Sequence, residues 1–139
     1  MAYATPVKFY SFLNDVFMKR MDLENDDLRV VLSNVAPSRS NTKLSDITQI
    51  ANGNGYTTGG ILSPASLSNT TGTVKLTMTD VQWTATGNVG PFRYVIIYND
   101  TATDDPLICY MDFGSEITLA NTEKFTVDFD ATGGLFSHQ

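Results

Sequence analysis

The chain is short of positive charge. Nine Lys and Arg stand against fifteen Asp and Glu, a formal net charge of −6 over 139 residues. Nucleic acid is gripped by clustered Lys and Arg that neutralise phosphates, and an anionic membrane surface is gripped the same way. The only adjacent basic pair is Lys19-Arg20, with Lys8 on the same segment. Both partner classes are therefore disfavoured. Cysteine is almost missing too. The single Cys109 excludes an internal disulfide and points to a reducing compartment. It lies in the apolar run Pro106-Leu107-Ile108-Cys109-Tyr110-Met111, which predicts a small buried residue rather than a nucleophile. The single histidine, His138, sits beside the C-terminus, where nothing holds it as a general base. Met1 to Pro6 has no basic start and no continuous apolar stretch, so neither a signal peptide nor a membrane span is expected.

Charged residues make up only 17% of the chain. That suits a protein that hides part of its surface in an assembly. Catalytic patterns are equally scarce. A phosphate-binding loop needs Lys after its last glycine, and Gly60 is followed by Ile61-Leu62. Asp22, Glu24, Asp26 and Asp27 approach a calcium-loop spacing but lack the turn glycine and the closing Glu, so a solvated acidic turn is expected. Asp112 with Glu116 is a carboxylate pair of the kind any acidic surface produces. The sequence predicts no catalytic residue, no metal and no cofactor.

What the chain does have is Gly53-Asn54-Gly55-Tyr56-Thr57-Thr58-Gly59-Gly60. Glycine reaches positive φ and lets another backbone come close, at an entropic cost. Tyr56 in the middle predicts an anchor. Upstream, Pro6 suits a first helical turn, and Phe9, Phe12, Leu13, Val16 and Phe17 recur at helical spacing. A helix is expected from there to Arg20 or Met21, its Phe-rich face covered by the sheet or by a neighbour. Leu28 to Leu32 reads as a strand, and Leu44 to Ile50 as a short helical turn. Ser63 to Gly72 reads as a connection. Val74, Leu76 and Met78 alternate, then Val81 and Trp83 alternate on the opposite parity, which predicts a bulge near Thr79-Asp80. After a turn at Gly87 to Pro91, Phe92 to Tyr98 is the strongest strand, pairing with Leu107 to Phe113. Glu116 to Leu119 and Phe125 to Phe129 are further strands. Trp83 shares parity with Val81 and is expected in the core. An exposed Trp83 or Tyr56 would instead offer a sugar-stacking platform.

One domain over 1–139 is expected: an N-terminal arm and helix (1–21), a β-rich body (28–130) and a short tail (131–139). The fold class is mainly β, an antiparallel sandwich or barrel with one N-terminal amphipathic helix.

Four pieces together resemble small virion structural proteins of tailed bacteriophages. They are Asp26 to Pro37, the glycine-rich segment 53–60, Asp80-Val81-Gln82-Trp83 followed by Phe92 to Tyr98, and Pro106 to Gly114. The resemblance implies a capsid decoration (cement) protein or a minor head or tail component. It implies the major capsid protein as partner, a homo-oligomer (a trimer at local threefold positions) and a place on the virion. The alternative is a tail or fibre-base module that binds host glycan. The residues expected to touch a partner are Tyr3, Pro6, Phe9 and Tyr10 in the arm and Gly53, Gly55, Tyr56, Gly59 and Gly60 in the loop.

Overall fold

The computed structural model describes residues 5–138. In chain order its elements are β1 (Val7–Lys8), α1 (Ser11–Phe17), β2 (Leu28–Ser33), a 3-10 turn (Leu44–Asp46), β3 (Ile61–Leu62), β4 (Ala65–Thr70), β5 (Thr73–Met78), β6 (Val81–Thr84), β7 (Val89–Asn99), β8 (Leu107–Leu119), β9 (Lys124–Val127) and β10 (Phe136–His138). Every strand pairing among them is antiparallel. The strands form a five-stranded sheet in the order β1-β8-β7-β2-β3, a three-stranded sheet β10-β5-β4 and a two-stranded sheet β6-β9. The fold is mainly β and sandwich-like, and these sheets do not close into a barrel.

The β7–β8 hairpin is the spine. Its strands carry the β-branched and aromatic residues that a pleated, buried surface favours. β2 pairs along the other edge of β7 without a register shift, from Leu28 opposite Asn99 to Ser33 opposite Tyr94. Because side chains alternate across a strand, the two faces of this sheet feed two cores. Leu28, Val30, Leu32, Val95 and Ile97 face the main core, which is closed on the far side by Leu76 and Met78 of β5, Trp83 of β6 and Phe125 of β9. Val31, Ile96, Tyr98 and Leu107 face a smaller core under Phe9, Leu44 and Ile47. Burial on both faces explains why β2 reads as a near-continuous apolar run.

The parity change after Met78 is larger than a bulge. β5 ends there, and β6 starts at Val81 in a different sheet, paired with β9. The Asp80 carboxylate marks the crossing by accepting from the Phe129 N–H at 2.7 Å. Ser63 to Gly72 contains a true strand, β4, and not only a connection. Its Ser, Asn and Thr suit an exposed edge, and Thr71 (φ 52) and Gly72 (φ 86) form the tight turn into β5. β7 begins at Val89, inside the expected turn, and passes through a cis Gly90–Pro91 bond. Glu116 to Leu119 is the end of the 13-residue β8, not a separate strand. Beyond Asp130, Phe136 to His138 adds to the β5 edge instead of trailing free.

The helix is the main correction. It spans seven residues, Ser11–Phe17, and does not reach back to Pro6. Val7 and Lys8 are taken by β8 as an edge strand, opposite Tyr110 and Cys109. The Phe9 N–H then donates to the Ile108 carbonyl at 3.1 Å, which holds the chain extended up to the helix start. At the other end Lys19 turns left-handed (φ 60). Its N–H donates to the Val16 carbonyl, and the Arg20 N–H to the Asp15 carbonyl at 2.8 Å. This pair of bonds is a Schellman stop, with Lys in the position that glycine usually holds.

Candidate interaction surface

Two segments were expected to touch a partner, and the structure treats them differently. The glycine-rich loop is folded into its own chain. Tyr56 is 1% exposed. Its hydroxyl donates to Gln49 Oε1 at 2.7 Å and accepts from the Leu32 N–H at 3.3 Å. Burial pushes its pKa up to about 12. Gln49 Oε1 also accepts from the Gly59 N–H at 2.9 Å, and the Gly59 carbonyl accepts from the Tyr98 hydroxyl at 2.8 Å. Gly60 (φ +75) presses on β2 so closely that a Cβ would overlap the Val30 carbonyl oxygen. A Cβ on Gly55 (φ +105) would overlap the Thr84 carbonyl oxygen. Only Gly53 faces open space. The loop is a latch between β2, β6 and the 49–52 segment, and most of its polar capacity is consumed there.

The N-terminal segment does the opposite. Tyr3 lies outside the described residues, and Pro6 is half-buried. Phe9 is 2% exposed and packs on Tyr110, so its side chain serves the fold. In α1, Phe12 and Val16 point inward, Phe12 against Phe136 with ring centres 5.3 Å apart. Asp15 is also turned inward and is paired with Arg20 at 3.1 Å. The opposite side is exposed and largely apolar, with Asn14 among its residues. Tyr10, Leu13, Phe17 and Met18 are exposed, Phe17 at 80%. They lie at helical spacing on one side of the helix. These are four of the seven large hydrophobics that the described chain leaves exposed; the other three, Val35, Leu62 and Val74, are scattered through the sequence. Single exposed apolar residues are ordinary, but a contiguous group marks a contact site.

Basic groups border this face. The Arg39 guanidinium lies 4.5 Å over the Tyr10 ring, and its Nε donates to the Lys8 carbonyl at 3.0 Å. At the C-terminal end of α1, Lys19, Arg20 and Lys43 share an open cleft of about 620 Å³ with Asp15 and Asp104. The sequence held the stripe in plain view. It did not show that Phe12 and Val16 alone would be enough to seat the helix.

The other suspected groups are spoken for. Trp83 is 2% exposed, stacked between Tyr56 and Phe125, so neither Trp83 nor Tyr56 offers a face to a sugar. Asp112 is gripped by both nitrogens of a fork, Arg93 Nε at 2.8 Å and Nη2 at 3.1 Å, and that bond holds its carboxyl below the usual range. Asp22 accepts from the Asn25 side chain and from the Glu24 and Asn25 N–H groups, which also lowers its pKa. Cys109 is fully buried, and desolvation pushes its thiol pKa up. Among the described residues no group of three or more His, Cys, Asp or Glu is placed to hold a metal ion, and no helix is long and apolar enough to cross a membrane. The chain matches no protein-family model, no curated protein and no solved structure.

Proposed function

We propose that this protein is a structural component of a bacteriophage virion, a decoration protein that binds the shell and braces neighbouring subunits against the pressure of packed DNA. One observation carries the reading: a well-packed β-sandwich keeps an uncovered apolar face on α1. Burying such a face on a neighbour releases water from apolar surface, the main favourable term in protein association. The low fraction of charged residues, 17%, fits a chain with part of its surface spent on contacts. A trimer on local threefold positions is the arrangement proposed, with the major capsid protein as the surface beneath. The glycan-binding alternative has lost its aromatic platform, because Trp83 and Tyr56 are both buried.

Particle stability is the test. Shells assembled without this protein are expected to open at lower temperature and under milder osmotic shock than complete ones. Adding the purified protein back is expected to restore them. Particles equally robust with and without it overturn the bracing role.

A further inference from the structure

We infer that strand β4 pairs with β4 of a second copy of this chain, antiparallel across a twofold axis at Leu67. The inference goes beyond the proposed function and does not rest on it. An edge strand presents a row of unpaired backbone groups, and proteins that stay apart blunt such edges with short strands, charges, Pro or bulges. Most edges here are blunted. β1 and β3 are two residues long, β10 three, β6 and β9 four. β8 runs on past β1, but that stretch carries Asp112 and Glu116 and passes through Gly114 at φ 86. β4 has no such protection. It is six residues long, pairs with β5 alone and keeps an unbroken register from Ala65 opposite Met78 to Thr70 opposite Thr73. From Ser63 to Thr73 there is no charged residue, and the one proline, Pro64, precedes the strand.

The phase of the ladder decides which groups are left over. The Thr79 N–H donates to the Pro64 carbonyl at 2.9 Å, so every second residue from there, Ser66, Ser68 and Thr70, exchanges bonds with β5. The backbone N–H and C=O groups of Ala65, Leu67 and Asn69 point the other way, and none of them has a hydrogen-bond partner among the described residues. Ser66, Ser68, Asn69 and Thr70 are exposed, so the edge is open to an incoming strand. A second copy fits it. Turned about an axis at Leu67, that copy sets Leu67 opposite Leu67 and Ala65 opposite Asn69, and all the left-over groups pair at once. No like charges meet along the strands, which have none. Leu67 also lines a cleft of about 540 Å³ with Val16, Met21 and Leu23, bordered by Lys19, Asp22 and Asp26. Its apolar walls extend the Leu67 contact. Its rim carries both signs, so a surface facing its own copy sets lysine against carboxylate. Where copies also meet around threefolds, this twofold is the contact between trimers.

The test reads the register. In this pairing Ser66 stands opposite Ser68 of the other copy in a non-hydrogen-bonded pair, about 4.5 Å between Cα atoms, within reach of a disulfide. Ser66 and Ser66 lie on a diagonal, about 7–8 Å apart, too far to bridge without moving the backbone. Ser66→Cys and Ser68→Cys are made in the full chain, whose own thiol, Cys109, is buried, and melting curves confirm that both fold. Mixed in equal amounts and oxidised, they are expected to give at least about ten times the linked dimer that either gives alone. Equal yields overturn the inference. In the unaltered chain, amide exchange at Leu67 and Asn69 is expected to slow at least about tenfold between dilute and concentrated solution. Ser66→Lys combined with Ser68→Lys sets lysines opposite one another and is expected to abolish that slowing. Exchange indifferent to concentration, or slowing that survives the lysines, overturns the inference. On assembled particles, p-benzoylphenylalanine at position 68 is expected to crosslink to another copy of this chain; adducts to a shell polypeptide alone overturn the second copy in favour of a strand of the shell. The thiol and exchange measurements use no shells, so their failure leaves the bracing role standing. Shells equally robust without the protein leave the pairing standing.

Discussion

The glycine-rich loop and helix α1 make opposite use of the chain. The loop looks made for outside contact, with small residues, hydroxyls and an aromatic at its centre. It is turned inward, and its glycines exist so that backbone can touch backbone. The helix looks made for the core, with four aromatics between Phe9 and Phe17. It buries Phe12, leaves Tyr10 and Phe17 in solvent, and has Phe9 buried just ahead of it. Residue type did not decide which segment faces a partner. The decision came from how much surface the neighbouring strands had left to cover.

The largest way to test that contrast is Gly60→Ala set against Phe17→Ser. At Gly60 the substitution meets both a left-handed φ of +75 and the Val30 carbonyl, so either β2 or the latch must move. A loss of at least about 3 kcal/mol in unfolding free energy is expected. Phe17→Ser removes a side chain that touches little of its own chain, and a change within about 0.5 kcal/mol is expected. Denaturant titration of both variants checks the pair. Similar losses would mean that α1 is as structural as the loop, and the exposed face would lose its meaning.

The sheet was legible because strands announce themselves by period and by residue type. Phe92 to Tyr98, Leu28 to Leu32 and the alternation of Phe125 with Val127 all fall in strands. So did the buried places of Cys109 and Trp83. What was not legible depended on distant partners. Val7 and Lys8 fit a helix by spacing, but the free edge of β8 claimed them. The parity switch at Thr79-Asp80 is the same in sequence whether a strand bulges or leaves for another sheet. Phe12, Val16, Leu13 and Phe17 fan over about 140° around a helix, so spacing alone does not say which part of the stripe meets the sheet. Which half turns inward is fixed by Phe136 and the body of the sheet, far along the chain.

A middle-sized effect is expected from Tyr56→Phe. The ring stays against Trp83, but the hydroxyl bonds to Gln49 and Leu32 are lost, and Gln49 keeps only its bond from Gly59. The expected cost is about 1–2 kcal/mol. It carries a pH signature. Tyr56 and Tyr98 both have pKa values raised from 10.0 to about 12, chiefly by burial. A proton held more tightly in the fold than in the open chain favours the fold below the ordinary tyrosine range. That advantage is lost as pH climbs from about 10 through about 12. Unfolding free energy is therefore expected to fall across that window, and less steeply in Tyr56→Phe. An unchanged slope would place the Tyr56 hydroxyl in solvent and undo the latch.

The smallest effect returns to the end of α1. The loop places glycine at four of its five positive-φ positions, 53, 55, 59 and 60, with Asn54 (φ 55) at the fifth, whereas the helix stop places Lys19 at φ 60. A side chain in that conformation costs about 1 kcal/mol, and glycine there would recover most of it, less the extra freedom it gives the unfolded chain. Lys19→Gly is thus expected to raise unfolding free energy by up to about 1 kcal/mol. The same change removes one charge from the rim of the apolar face, so binding to shells is expected to weaken at low salt and to converge with the unaltered chain at high salt. Greater stability with weaker adhesion would show that the lysine is kept for what lies outside the chain. A variant that melts lower would break the reading of the helix stop, and one that melts higher yet binds as before would remove Lys19 from the contact.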